Sequence, residues 1–78
     1  MDNDNDIQNL LYNLVYLRRQ HGLSKHEMAR KLGIGMHSWN LIESGTLPPR
    51  LGANVFYFVY DHFKIAPPVL FTQHLDEI

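Results

Sequence analysis

Cysteine is absent from this chain of 78 residues, so neither a disulfide framework nor a cysteine-based zinc site can support the fold. Glycine and proline are scarce, at five and four residues. Each marks a turn rather than a low-complexity tract. No apolar run approaches the ~20 residues that a membrane-spanning helix needs. The start, Asp2-Asn3-Asp4-Asn5-Asp6, is acidic and leads into an amphipathic segment, unlike the basic opening of a signal peptide. A soluble cytoplasmic protein is therefore expected. Positive charge is not in excess either, the formal net charge being -1. The histidines (His21, His26, His37, His62 and His74) include no i, i+4 pair on one helix, which leaves little case for a metal. With no nucleophile–base pairing and no glycine-rich phosphate loop, the sequence predicts no enzyme, no cofactor and no small-molecule ligand.

What is present is a core in waiting. At 45% hydrophobic, the chain has enough apolar side chains for a single domain over 1–78. The charge is also unevenly spread. Asp2, Asp4, Asp6, Asp76 and Glu77 lie at the two ends. Between residues 7 and 75 all seven bases face only Glu27, Glu43 and Asp61, so the body carries +4. That balance suits contact with phosphates.

Apolar spacing predicts helices throughout. Asp6 is the expected N-cap of a first helix ending near His21, with Ile7, Leu10, Leu11, Leu14 and Leu17 inward and Gln8, Asn9, Asn13 and Gln20 in water. A third helix is predicted from about Met36 to Ser44, and a fourth from Leu51 to Phe63. The stretch Val55 to Tyr60 has strand-like composition. Val55, Phe58, Val59 and Phe63 keep helical spacing, however, and a lone strand would have no partner. Pro67-Pro68 can open a short fifth helix. Residues 1–5 and 72–78 are expected to be loose tails. Phe56, Tyr57 and Tyr60 exceed what so small a body can bury, so some of them should meet a partner.

The most specific segment is Leu23 to Ile34. Ser24 and Glu27 have the spacing of a capping box. Met28, Ala29 and Leu32 share one helical face. Gly33 can take the left-handed conformation that ends the helix, and Ile34, Trp39 and Ile42 anchor the next one. Two short helices joined by a glycine turn form a unit that can set its second helix into a DNA major groove.

Leu17-Arg18, Gly22-Leu23-Ser24, Glu27-Met28-Ala29, Leu32-Gly33-Ile34, Ile42-Glu43-Ser44-Gly45, Pro49 and Ile65 to Phe71 together resemble the Cro/repressor-type (lambda-repressor-like, xenobiotic-response-element) helix-turn-helix family. The resemblance implies a compact all-α domain of five helices. It also implies a sequence-specific, DNA-binding transcriptional regulator of bacterial or phage origin, working as a homodimer through helix 4 and the C-terminal segment. Residue by residue, it puts Met36, His37, Ser38, Asn40 and Leu41 toward the bases and Ser24, Lys25, Gly35, Ser44 and Arg50 toward the phosphates. Arg18 and Glu43 match a structural ion pair.

Two departures from the family pattern stand out. Gly35 replaces a Ser or Thr cap. Met36 and Leu41 stand where Gln, Arg or Lys would form bidentate base contacts. Readout then falls to His37, Asn40 and Ser38 and leans toward A·T pairs. The alternative is a protein-interaction module on the same fold, using Met36, Trp39, Leu41 and helix 4.

Overall fold

The computed structural model describes residues 3–77, with side chains from residue 5 onward. Among them the chain forms α1 (Asn3–Gln20), α2 (Lys25–Leu32), α3 (Met36–Glu43), α4 (Ala53–Phe63) and α5 (Pro67–Thr72), closed by a 3-10 turn at Leu75–Glu77. The expected all-α architecture of five helices is what folds. Val55 to Tyr60 is helical, as its spacing required.

The first three helices end by one device. At Gly33, φ is 74°, and its N–H donates to the Arg30 carbonyl while the Ile34 N–H reaches back to Ala29. This is a Schellman closure, which satisfies carbonyls that would otherwise lack partners. Gly22 and Gly45 repeat the pattern after α1 and α3. Gly33 is constrained twice over, because a Cβ there would meet Asn54 Nδ2 at 2.7 Å. That nitrogen donates to the Leu32 carbonyl at 2.8 Å, fastening the start of α4 to the end of α2. At the far end of α4 no glycine is available. Lys64 takes the left-handed conformation instead, at φ 59°.

Apolar faces converge on Trp39, which is fully buried with Leu10, Leu11, Leu14, Met28, Leu32, Ile42, Val55, Val59 and Leu70. Burying side chains of this size stabilises by roughly 1.5–3 kcal/mol each relative to exposure. Ile7 is only half-buried, at the margin of the stripe that spacing predicted for α1.

Three expectations need correction. The first helix starts at Asn3 rather than after Asp6, so Asp6 lies inside it and is not its cap. Carboxylates near a helix N-terminus favour extension, because they oppose the positive end of its dipole. Met1, Asp2 and Ile78 lie outside the described residues.

Second, Asn13 does not face water. It is fully buried, and its Nδ2 donates to the Leu70 carbonyl at 2.9 Å and the Gln73 carbonyl at 2.7 Å. Its Oδ1 accepts the Leu75 N–H at 2.9 Å. A helical wheel assigns an amide outward by polarity alone, whereas the end of α5 offers it carbonyls and an N–H that need partners in the interior.

Third, residues 72–77 are no loose tail. Asn9 donates to the Phe71 carbonyl, Tyr12 Oη donates to Asp76 at 2.6 Å, and the Tyr12 and His74 rings stack at 4.0 Å. The Asp76 bond is the main reason the Tyr12 phenol is held above its ordinary 10.0, with burial and the Asp76 charge adding to it.

Asn13→Leu should therefore destabilise the domain by roughly 2–4 kcal/mol, since buried backbone groups lose a partner on removal of this side chain. Chemical denaturation monitored by Trp39 fluorescence checks this. A loss below about 1 kcal/mol would mean that the amide is dispensable.

Candidate nucleic-acid interface

The geometry of α3 is decided by one carboxylate. Glu43 Oε2 accepts Arg18 Nε–H at 2.9 Å and Trp39 Nε1–H at 2.9 Å. Arg18 also donates through Nη1 to the Leu23 carbonyl at 3.0 Å. One cluster thus joins α1, the turn before α2, and both ends of the Trp39–Glu43 helical turn. The Arg18 and Glu43 side chains are 15% and 14% exposed, shielded enough for charge-assisted bonds to act more strongly than on an open surface. The Arg18–Glu43 pair was legible from the motif. The Trp39 donor was not, because nothing in a sequence says which way a core indole points its N–H.

With Trp39 and Ile42 inward, the opposite face of α3 is fixed. His37, Asn40 and Leu41, with Ser44 just beyond the helix, follow i, i+3, i+4, i+7 spacing and point outward. His37, Asn40 and Ser44 are exposed, and Leu41 is half-buried. Ser38 lies at one edge of this face, half-buried. Met36 lies at the other edge and packs against the core, so its sulfur and methyl are only partly available. The face carries no charge, because Glu43 is engaged to one side.

The residues expected to hold phosphates lie in α2 and its cap, at the two ends of α3 and in the loop that follows it. Lys25 is exposed in the first turn of α2, and Arg50 is exposed in the loop after α3. Gly35 begins α3 with no side-chain cap and with open space where a Cβ would stand. The first N–H groups of α3 are therefore without a capping side chain. Ser24 closes the expected capping box: its Oγ accepts the Glu27 N–H at 3.0 Å, and Glu27 accepts the Ser24 N–H at 2.8 Å. The Ser24 N–H is the chief reason the Glu27 carboxyl titrates below its ordinary 4.5, followed by the Ser24 hydroxyl and then Arg30 and Lys31. The Ser24 hydroxyl is thus engaged within the box, accepting the Glu27 N–H and favouring the ionised Glu27 carboxyl. Ser44 differs, since its hydroxyl donates to the Leu41 carbonyl at 2.8 Å, leaving it only as an acceptor.

One grouping escaped the survey of histidine spacing. His74, Asp76 and Glu77 each bring a ligand-type atom within 4.8 Å of the others on the closing turn. Pairing histidine with histidine overlooks it, because two of its members are carboxylates. Asp76 already accepts the Tyr12 hydroxyl.

Comparison with family models, with curated proteins and with solved structures returns no match. Among the described residues, no helix is long and apolar enough to cross a membrane.

Replacing Glu43 by Gln keeps a hydrogen-bond acceptor but removes the charge opposite Arg18. A double-mutant cycle of Arg18→Met and Glu43→Gln should return a coupling of about 2 kcal/mol in unfolding free energy, the range for hydrogen bonds to charged groups. Additive effects within about 0.5 kcal/mol would remove the carboxylate from its place in the fold.

Proposed function

We propose that this protein is a sequence-specific double-stranded DNA-binding regulator of transcription that sets α3 into the major groove. The outward, uncharged row of His37, Asn40 and Leu41 carries this reading, with Lys25 exposed on α2 and Arg50 exposed in the loop after α3. A helix that meets base edges needs hydrogen-bonding and apolar groups along its own face, and without Arg or Lys there this one is suited to adenine and the thymine methyl rather than to guanine. The Schellman turn at Gly33 supports it as well, since it lets α2 lie across the duplex backbone while α3 enters the groove.

Each residue then has a role. Lys25 and Arg50 neutralise phosphates on either side of α3. The uncapped N–H groups following Gly35 donate to phosphate oxygens. Asn40 pairs with an adenine through N6 and N7, and Leu41 packs against a thymine methyl. His37 donates or accepts at a neighbouring base edge. Such a surface favours A·T pairs and grips weakly, because it has few cations. It suits a protein acting on DNA in the bacterial cytoplasm.

A second reading draws on one observation: α3 carries no cation, while Leu41 and the 44% exposed Leu47 offer apolar contact nearby. On that reading the same face docks a protein.

Selection of bound duplexes from a randomised pool at two salt concentrations separates the two. DNA readout predicts enrichment of A·T-rich sites and an affinity that falls with salt. Asn40→Ala should cost about 1–3 kcal/mol on the preferred site and relax the choice at one position, whereas Lys25→Ala should weaken all sites alike and reduce the salt slope by about one. No binding at low salt would remove the DNA reading.

A further inference from the structure

Three side chains able to ligate a metal converge on the closing turn. The Glu77 N–H donates to the His74 carbonyl at 3.0 Å, which closes the chain into a 3-10 turn. Residues three apart on such a turn eclipse one another, so His74 and Glu77 lie on one side of it. His74 Nδ1 stands 3.8 Å from Glu77 Oε2. That is too far for a hydrogen bond. It is close to the roughly 3.4 Å between two ligands of a tetrahedral zinc ion. Asp76 joins them, each of the three residues bringing one ligand atom within 4.8 Å of the others.

Two features separate this group from acids that only share a surface. The first is its chemistry. One imidazole nitrogen with two carboxylate oxygens suits zinc and its transition-metal neighbours, whereas Ca2+ and Mg2+ take oxygen ligands. The second is support from outside the group, because Tyr12 on α1 holds two of the three residues. Its ring stacks on His74, with centroids 4.0 Å apart and planes at 16°, and its hydroxyl donates to Asp76 Oδ2 at 2.6 Å. Metal ligands are generally oriented by such contacts from behind. There is also room for water. The group borders a polar cleft of about 370 Å³ lined by Asn9, Thr72, Gln73, His74 and Glu77, and a second cleft walled in part by Tyr12, His74 and Asp76.

We propose that His74, Asp76 and Glu77 bind one divalent transition-metal ion, zinc above all, with Tyr12 as a positioning residue. His74 supplies Nδ1, Asp76 supplies the oxygen that Tyr12 does not use, and Glu77 supplies one carboxylate oxygen. Water takes the fourth position of a site with three protein ligands. Closing the three atoms onto an ion takes movements of about 1 Å, within reach of the exposed Asp76 and Glu77 side chains. Through Tyr12 the ion ties the closing turn more firmly to α1. The site shares no residue with the face proposed to meet DNA, and its test needs no DNA.

Calorimetric titration of zinc chloride into the full chain, with circular dichroism confirming that each variant is folded, decides the matter. One ion per chain should bind, with a Kd on the order of micromolar. At about a hundredfold excess over Kd, zinc should raise the thermal midpoint by at least about 5 °C. Glu77→Gln and His74→Ala should each weaken binding at least about tenfold. Tyr12→Phe keeps the stacked ring but loses the bond to Asp76, and should cost about 10- to 100-fold in affinity. A purely structural Tyr12 would lower the midpoint without zinc and leave the affinity alone. His26→Ala, which removes an exposed histidine on α2, should bind zinc as the parent does. Binding weaker than about 1 mM overturns the proposal. So does binding that survives both Glu77→Gln and His74→Ala, which puts the ion elsewhere. Equal displacement of zinc by Ca2+ overturns it too, since the group is then an ordinary acidic surface.

Discussion

Glu43 Oε2 accepts hydrogen bonds from Arg18 on α1 and from Trp39 on its own helix, and the orientation of α3 depends on that shared acceptor. Taken alone, an eight-residue helix with no side-chain cap, no acid in its first turn and no base in its last is far below the length at which helices persist in water. α3 therefore owes its existence to packing. Trp39 and Ile42 supply the apolar part, and the carboxylate sets the rotation about the helix axis by holding the indole edge and the guanidinium together. Which side chains α3 shows to the outside follows from that rotation.

A second polar device acts at the other end of α1. Asn13 is buried and satisfies two carbonyls and one N–H of the chain around α5. Five hydrogen bonds that close the chain onto α1 span 57 to 64 residues of sequence, so they are made last in any pathway governed by loop closure. The two clusters divide the work. Arg18, Trp39 and Glu43 orient the helix that faces outward, while Asn9, Tyr12 and Asn13 draw the end of the chain onto α1. α4 is tied more lightly, through Asn54 to α2 and a few apolar contacts. Its outer face is consequently the one left with aromatic surface.

Local features were the legible ones. The Ser24–Glu27 box and the stop at Gly33 depend on residues three to five apart, and their geometry follows from side-chain chemistry that the sequence states directly. The apolar faces of α1 and α4 were legible for the same reason. Asn13 was not, because polarity and helical phase both assign it to solvent, and its partners are 57 to 62 residues away. The tie from Asn54 to Leu32 is hidden similarly. At the candidate interface, His37, Asn40, Leu41, Lys25 and Arg50 occupy outward positions as expected. Met36 turns partly to the core, and Ser44 directs its hydroxyl proton to its own helix. Both differences arise from local hydrogen bonding and packing that a motif does not encode.

On the proposed function, α3 is the surface that meets DNA and the rest of the fold aims it. Amide chemical shifts recorded while a short A·T-rich duplex is titrated into the labelled protein at low salt test this most directly. The account predicts shifts gathered on Lys25, Gly35, His37, Asn40, Leu41 and Arg50, with Asn13 and the closing turn undisturbed. Shifts centred on Tyr57 and Tyr60, or none at all as the duplex is added, would contradict it.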